Sequence, residues 1–279
     1  MNASPSPGRL IRLCVGDAVA LVAPDAGGRL QSLGIAGHEL LVTAGPEPFG
    51  WGAFPMVPYA GRIRGGALSF RGRTYRLPVT LPPHAIHGTL ADVPWDVAEE
   101  PGAATLTLTA DLHEPWPFRG RVTQRYHLEA GALRITLGLD AAEPMPASMG
   151  WHPWFRRQVE GASGGLALEI DPAWVFVRDA DYIATPELVR PGPHPWDDCF
   201  TGVRRAPRLS WPGLLDLRIE SDCRYWVVYD MPSDAICVEP QTAPPDGLNW
   251  LPPEDVLVEP GRPLVATMTM RWRMAGGRP

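Results

Sequence analysis

The stretch VEPQTAPPDGLN, residues 238–249, carries one carboxylate, Glu239, out of an apolar run (Ala235, Ile236, Cys237, Val238) and straight into Pro240, Pro244 and Pro245. Such an acid either ends a strand before a surface turn or is held as a general base. Four further segments gather groups that could work with it. SMGWHPWFRR, 148–157, sets His152 among Trp151, Pro153, Trp154 and Phe155. An imidazole near its ordinary pKa of about 6.5 can donate a proton at neutral pH. Indole rings stack on the apolar C–H faces of sugars, so the setting suits a carbohydrate; the plainer reading is a core histidine satisfied by backbone. LPPHAIHGTL, 81–90, holds His84 and His87. Pro82 and Pro83 argue against a helix that would align them, and no third ligand stands nearby, so a metal is disfavoured. A loop histidine before Gly88, where backbone can approach a ligand closely, fits a small-molecule site better. PHPWDDCFTG, 193–202, places Asp197 and Asp198 beside Trp196 and Phe200, either as acceptors for hydroxyls or as a solvated turn. In FPMVPYAGRIRGG, 54–66, the Arg62 fork suits a planar acceptor or a carboxylate partner, whereas Arg64 reads as solvated.

The elements that must hold these groups show a period of two. Leu133, Ile135, Leu137 and Leu139 alternate with Arg134, Thr136, Gly138 and Asp140; residues 104–110, 215–220 and 267–274 alternate likewise. Each predicts a half-buried antiparallel strand with one wet face. Turn pairs such as Gly65-Gly66, Pro101-Gly102 and Pro212-Gly213 punctuate the runs, and the 33 Pro and 29 Gly suit short strands joined by loops. No long stretch has a helical period. The pattern predicts an all-β chain of roughly fifteen or more strands, which must stack as a large antiparallel sandwich. No linker interrupts it, so residues 1–279 are expected to form a single domain, with 186–195 and 240–253 as ordered loops.

Bulk properties narrow the function. The chain has 279 residues, a net charge of −6 and no lysine among its 25 basic residues. Neither nucleic acid nor an anionic membrane is an expected partner. Lysine Schiff-base chemistry and a Walker-type phosphate lysine are excluded. Cys14, Cys199, Cys223 and Cys237 match no zinc spacing and read as reduced thiols of a cytoplasmic protein. MNASPSPGRLIRL lacks the basic start and apolar core of a signal peptide, and no apolar run approaches the ~20 residues of a membrane span.

Taken in order, these segments resemble the aldose 1-epimerase (galactose mutarotase) family. The resemblance rests on Pro58-Tyr59-Ala60-Gly61-Arg62-Ile63, then His87-Gly88, Trp95-Asp96-Val97, His152-Pro153-Trp154-Phe155, Asp197-Asp198-Cys199-Phe200, and Glu239-Pro240-Gln241 with Pro245-Asp246. It runs from about residue 9 to 273. It implies a galactose-mutarotase-like β-sandwich acting on a monosaccharide, with no cofactor and no metal, as a monomer or weak homodimer. By the resemblance Glu239 is the general base and His152 the general acid, with His87 assisting at the ring oxygen. Arg62 and Asp197 would hold sugar hydroxyls or orient the carboxylate, with Trp154 and Gln241 also binding substrate. Gly61 stands where the family often has Asn, and Thr89 where it often has a second Gly. GWHPWF resembles a divergent bacterial branch. These departures bear on which sugar is bound. A hexose 6-phosphate epimerase, using Arg62, Arg64, Arg71, Arg73 and Arg76 at the pocket mouth, is one rival. The others are a non-catalytic carbohydrate-binding module and a two-carboxylate glycoside hydrolase using Glu239 and Asp197. His38, His113, His127 and His194 read as structural or surface residues.

Overall fold

Leu133, Ile135, Leu137 and Leu139 are fully buried, while the residues between them face outward. The computed structural model describes residues 8–45 and 48–276. The start of the N-terminal segment and the outer limits of the expected 1–279 domain lie outside the described residues. All four period-two stretches become strands of one eight-stranded antiparallel sheet. Its centre runs Thr105–Leu112, Gly120–Glu129, Ala132–Ala141, Leu264–Met274, Leu215–Ser221. One face packs inward and the other meets water, as the alternation requires.

The second sheet has eleven strands and a different pattern. At its centre lie, side by side, Ala53–Met56, Gly150–Arg156, Ala235–Gln241, Tyr225–Tyr229 and Asp197–Thr201. Along Ala235–Gln241 every residue is buried, so no alternation is visible. One face of this sheet packs on the first sheet, where Trp151, Phe155, Trp226, Ile236 and Val238 join the core. Loops cover the other face. The ladders between named strands are all antiparallel. Among the described residues helix is confined to short turns, such as Gly247–Trp250 within the proline-rich 240–253 region and Pro253–Val256 at its end. The 186–195 region is only part loop, since the strand Ala184–Val189 enters it.

Buried polar groups between the sheets are paired. Trp151 Nε1 donates to Gln124 Oε1 (3.0 Å), Gln124 Nε2 donates to the Gly28 carbonyl (2.8 Å), and the Tyr126 hydroxyl donates to the same carbonyl (2.6 Å). This network ties the strand that carries His152 to the opposite sheet.

Gly88 marks a close approach of backbone to backbone. It has φ +79°, and a Cβ there would lie 2.1 Å from the Val57 carbonyl oxygen. Gly88→Ala is therefore expected to cost about 2–4 kcal/mol, measured as a lower urea midpoint at unchanged slope.

Candidate active site

Pro153 and Pro240 sit on neighbouring strands, and neither can donate to a ladder. The strands Gly150–Arg156 and Ala235–Gln241 pair at Gly150↔Gln241 and again at Trp154↔Cys237, with no paired residues between. Both pairs belong to one register, so His152 lies directly opposite Glu239 in the lapse. Glu239 does not end the strand, as its flanking prolines suggest. The strand continues through Pro240 to Gln241.

Across the lapse His152 Nε2 and Glu239 Oε1 are 3.2 Å apart, and Gln241 Nε2 donates to Glu239 Oε2 at 3.1 Å. Glu239 is 2% exposed and His152 5%. The imidazole is stacked between Phe54, opposite it on the next strand (4.9 Å, 19°), and Trp154, two residues on (5.2 Å, 16°). The ring of His87 meets it edge-on at 5.0 Å. His87 itself has φ +60° and donates its N–H to the Gly61 carbonyl (2.9 Å). His152 Nδ1, His87 Nδ1 and Gln241 Oε1 are buried without a protein partner.

These groups floor a cavity of about 390 Å³ that also takes in Arg62, Trp154, Asp197, Tyr229 and Phe49. All the residues picked from the sequence, Glu239, His152, His87, Arg62, Asp197, Trp154 and Gln241, therefore line one cavity. Asp197 lies in the strand Asp197–Thr201 rather than in a turn, 3.7 Å from Arg62 Nη2 and 3.2 Å from Arg178 Nη1. Asp198 points to the other face of that strand, where Arg178 Nε holds it at 2.8 Å. After Glu239 the loop folds back onto Arg62. The Asp246 N–H donates to the Arg62 carbonyl (2.7 Å), and Asp246 Oδ1 accepts from the Arg64 N–H (3.0 Å).

Burial sets the proton balance. It pushes Glu239 well above the usual carboxylate range, with the Asp197 charge adding to the shift and the Gln241 hydrogen bond and Arg62 opposing it. It pushes His152 down to about 3, with Arg29 and Arg62 in the same direction. His87 is pushed well below its ordinary value by burial, then by His152 and Arg62. Asp197 is raised by burial against the pull of Arg62 and Arg178. The expectation of an unperturbed imidazole at His152 is thus overturned. Two groups in contact, one reluctant to lose a proton and one reluctant to gain one, share a single proton as a net-neutral pair.

Other highlighted residues serve the frame. His84 Nδ1 accepts the Gly65 N–H (3.2 Å), so Nε2 donates to the Asp181 carbonyl (2.9 Å); this histidine is satisfied and does not pair with His87 around a metal. Arg64 is held by Asp179 and by Asp181 at 3.3 Å. Tyr59 and Trp95 are buried in the core. All four cysteines are free. The sequence reading missed Tyr229, Phe49, Arg178 and Arg29. Arg29 is buried beneath the site and donates to the carbonyls of Ala26, Pro48, Trp51 and Ala91, which pins the loop carrying Phe49. A buried run such as YWVVY, 225–229, gave no local signal for Tyr229.

The profile of the family described as aldose 1-epimerase matches residues 9–271. YphB of Escherichia coli strain K12, described as uncharacterized, is 26% identical over 242 residues, covering 78% of this chain and 82% of its own. A galactose mutarotase-like protein from Clostridium acetobutylicum has the same fold, with a TM-score of 0.84 at 19% identity over 95% of each chain. A galactose 1-epimerase from Lactobacillus acidophilus gives 0.77 at 16% identity, again over 95% of each.

A carboxyl whose pKa is raised on folding stabilises the fold below its unfolded pKa, and that contribution is lost as pH rises through the folded value. Glu239→Gln removes this loss and keeps an amide that can donate to neutral His152. The variant is expected to match the parent Tm near pH 4 and exceed it by a few degrees at pH 8, at about 2–4 °C per kcal/mol. A constant difference across that range would show that Glu239 is not raised.

Proposed function

Because the chain belongs to the aldose 1-epimerase family, we propose that it is an isomerase interconverting the α and β anomers of a free aldose by acid–base opening and closure of the ring. The observation that carries this reading is the contact of His152 Nε2 with Glu239 Oε1, 3.2 Å apart on the cavity floor. The anomeric hydroxyl and the ring oxygen are both bonded to C1, so a base and an acid in mutual contact suit these two neighbouring oxygens. With the shared proton moved across the contact to His152, Glu239 as carboxylate takes the anomeric proton while His152 as imidazolium protonates the ring oxygen. The C1–O bond of the ring breaks as the C1 carbonyl forms; C1 turns, and the steps reverse on the other face. The reaction needs no net gain or loss of protons, and the shared proton of the pair supplies the acid and the base together.

The surrounding groups have matching roles. His87 approaches His152 edge-on and assists at the ring oxygen. Trp154 offers an indole to the sugar's C–H face. Arg62 and Asp197 hold hydroxyls as donor and acceptor, and Gln241 orients Glu239. Among the described residues lining the cavity, Arg62 is the sole arginine, and Arg64 is committed to Asp179 and Asp181. That favours an uncharged aldose over a sugar phosphate, which needs a convergent Arg set.

Polarimetry on freshly dissolved α-galactose, glucose, arabinose, fucose and glucose 6-phosphate tests the reading. We expect faster equilibration of at least one neutral aldose, and Glu239→Gln and His152→Gln each to slow it by about 10²–10⁴-fold. Wild-type turnover in Glu239→Gln would remove Glu239 as base. No acceleration on any sugar would leave a binding module. The rate is also expected to trace a bell against pH, because a second proton disables the base and loss of the shared proton disables the acid. Its acid limb, where the second proton enters His152, should lie below the ordinary imidazole value of about 6.5, since burial lowers that group, and its alkaline limb, where the shared proton is lost, above the ordinary Glu value of about 4.3, since burial raises Glu239. A limb at its ordinary value would contradict the shared-proton pair.

A further inference from the structure

Cys237 precedes Glu239 by two residues on one strand, so both side chains point to the same face of the sheet. It is fully buried and does not line the cavity. The scheme above gives it no role. Yet its sulfur and the ligand atoms of His152 and Glu239 all lie within 4.8 Å of one another. The set offers one thiol, one imidazole and one carboxylate, each from a buried residue.

Zn²⁺ holds such ligands at about 2.0–2.3 Å in a tetrahedron, which places the donor atoms about 3.3–3.7 Å apart. His152 Nε2 and Glu239 Oε1 already stand at 3.2 Å. Bringing the sulfur in takes a movement of about 1 Å, within the reach of side-chain torsions. Three protein ligands leave a fourth position toward the cavity, the coordination of an open rather than a closed zinc site. Gln241 donates to the second oxygen of Glu239 and so orients it from the outer shell. His152 Nδ1 has no protein partner, so it can carry the proton of the neutral imidazole and leave Nε2 to an ion. Mg²⁺ and Ca²⁺ require more oxygen ligands than this set supplies, whereas a thiolate with an imidazole suits Zn²⁺.

We propose that His152, Cys237 and Glu239 form a zinc-binding site that shuts the cavity by taking the proposed acid and base together. Two protons leave to solvent, the one shared by His152 and Glu239 and that of the Cys237 thiol, as the bonds from Zn²⁺ to nitrogen, oxygen and sulfur form. The inhibition rests on the epimerase reading; the binding does not.

The test uses the full chain after EDTA treatment and dialysis, titrated with Zn²⁺ by calorimetry and in the polarimetric assay. One Zn²⁺ per chain is expected, with inhibition competitive with aldose and reversed by EDTA, and none from Mg²⁺ at the same concentration. Co²⁺ in place of Zn²⁺ should give thiolate-to-cobalt charge-transfer absorption in the near ultraviolet. Cys237→Ala and Cys237→Ser should keep basal turnover, lose that absorption, and weaken Zn²⁺ binding beyond the roughly 10–100-fold typical of outer-shell changes. Unchanged Zn²⁺ binding in both variants overturns the proposal, as does a cobalt complex of the native chain without the thiolate band. The cobalt spectrum decides the matter even where the variants fail to fold. Cys237-dependent Zn²⁺ binding in a chain that turns over no aldose would overturn the epimerase reading and leave the metal site standing.

Discussion

The structure depends on keeping a carboxyl inside a β-sheet without a full counter-charge. Glu239 is 2% exposed, and its nearest cation, Arg62, is shared with Asp197. Ionising such a group in place is costly. The cost is held down because His152 stands opposite and one proton serves both. That opposition exists because two prolines, Pro153 and Pro240, fall where the strands would otherwise zip together. A central strand is an unusual place for proline, and here it leaves the two side chains facing each other across an unpaired stretch.

Everything around the pair acts to hold it still. Phe54 and Trp154 fix the plane of the imidazole from both sides, and Trp154 is itself anchored by its indole N–H to the Phe49 carbonyl (2.7 Å). Behind the sheet, Trp151 reaches through Gln124 and Tyr126 to the opposite layer. In front, the loop at Asp246 grips the backbone of Arg62, so the strand of the acid and the strand of the cation are joined by a short chain segment. Arg178 completes the frame by holding Asp197 and Asp198 from one guanidinium. Binding groups placed on packed strands in this way are more sharply positioned than groups on free loops.

How much of this could be read in the residues alone differs by sheet. The water-facing sheet was legible because Leu133 to Asp140, and the three stretches like it, alternate. The site-bearing sheet was not, because Ala235–Gln241 is buried on both faces and hides its period. Glu239, His152 and Asp197 stood out by chemical type and by their order along the chain. Tyr229 and Arg178 did not, since an aromatic in a buried run and an arginine in a short strand acquire meaning only from their neighbours across the ladder. The proton state of His152 is hidden from the sequence for the same reason. Its burial comes from Phe54 and Trp154 closing over it and from the strand pairing behind it, and no local stretch announces that.

The difference between the two sheets also governs how the chain can vary. On the eight-stranded sheet outward positions such as Arg125, His127 and Arg134 are exposed, and exchange there is cheap. On the central strands of the other sheet almost no position is spare, because one side is committed to the core and the other to the cavity. A map of tolerated substitutions would therefore be lopsided, permissive across one layer and nearly closed across the other. New ligand preferences would have to arise from the covering loops, at positions such as Phe49, Gly61 and Pro245, rather than from the strands that carry His152 and Glu239.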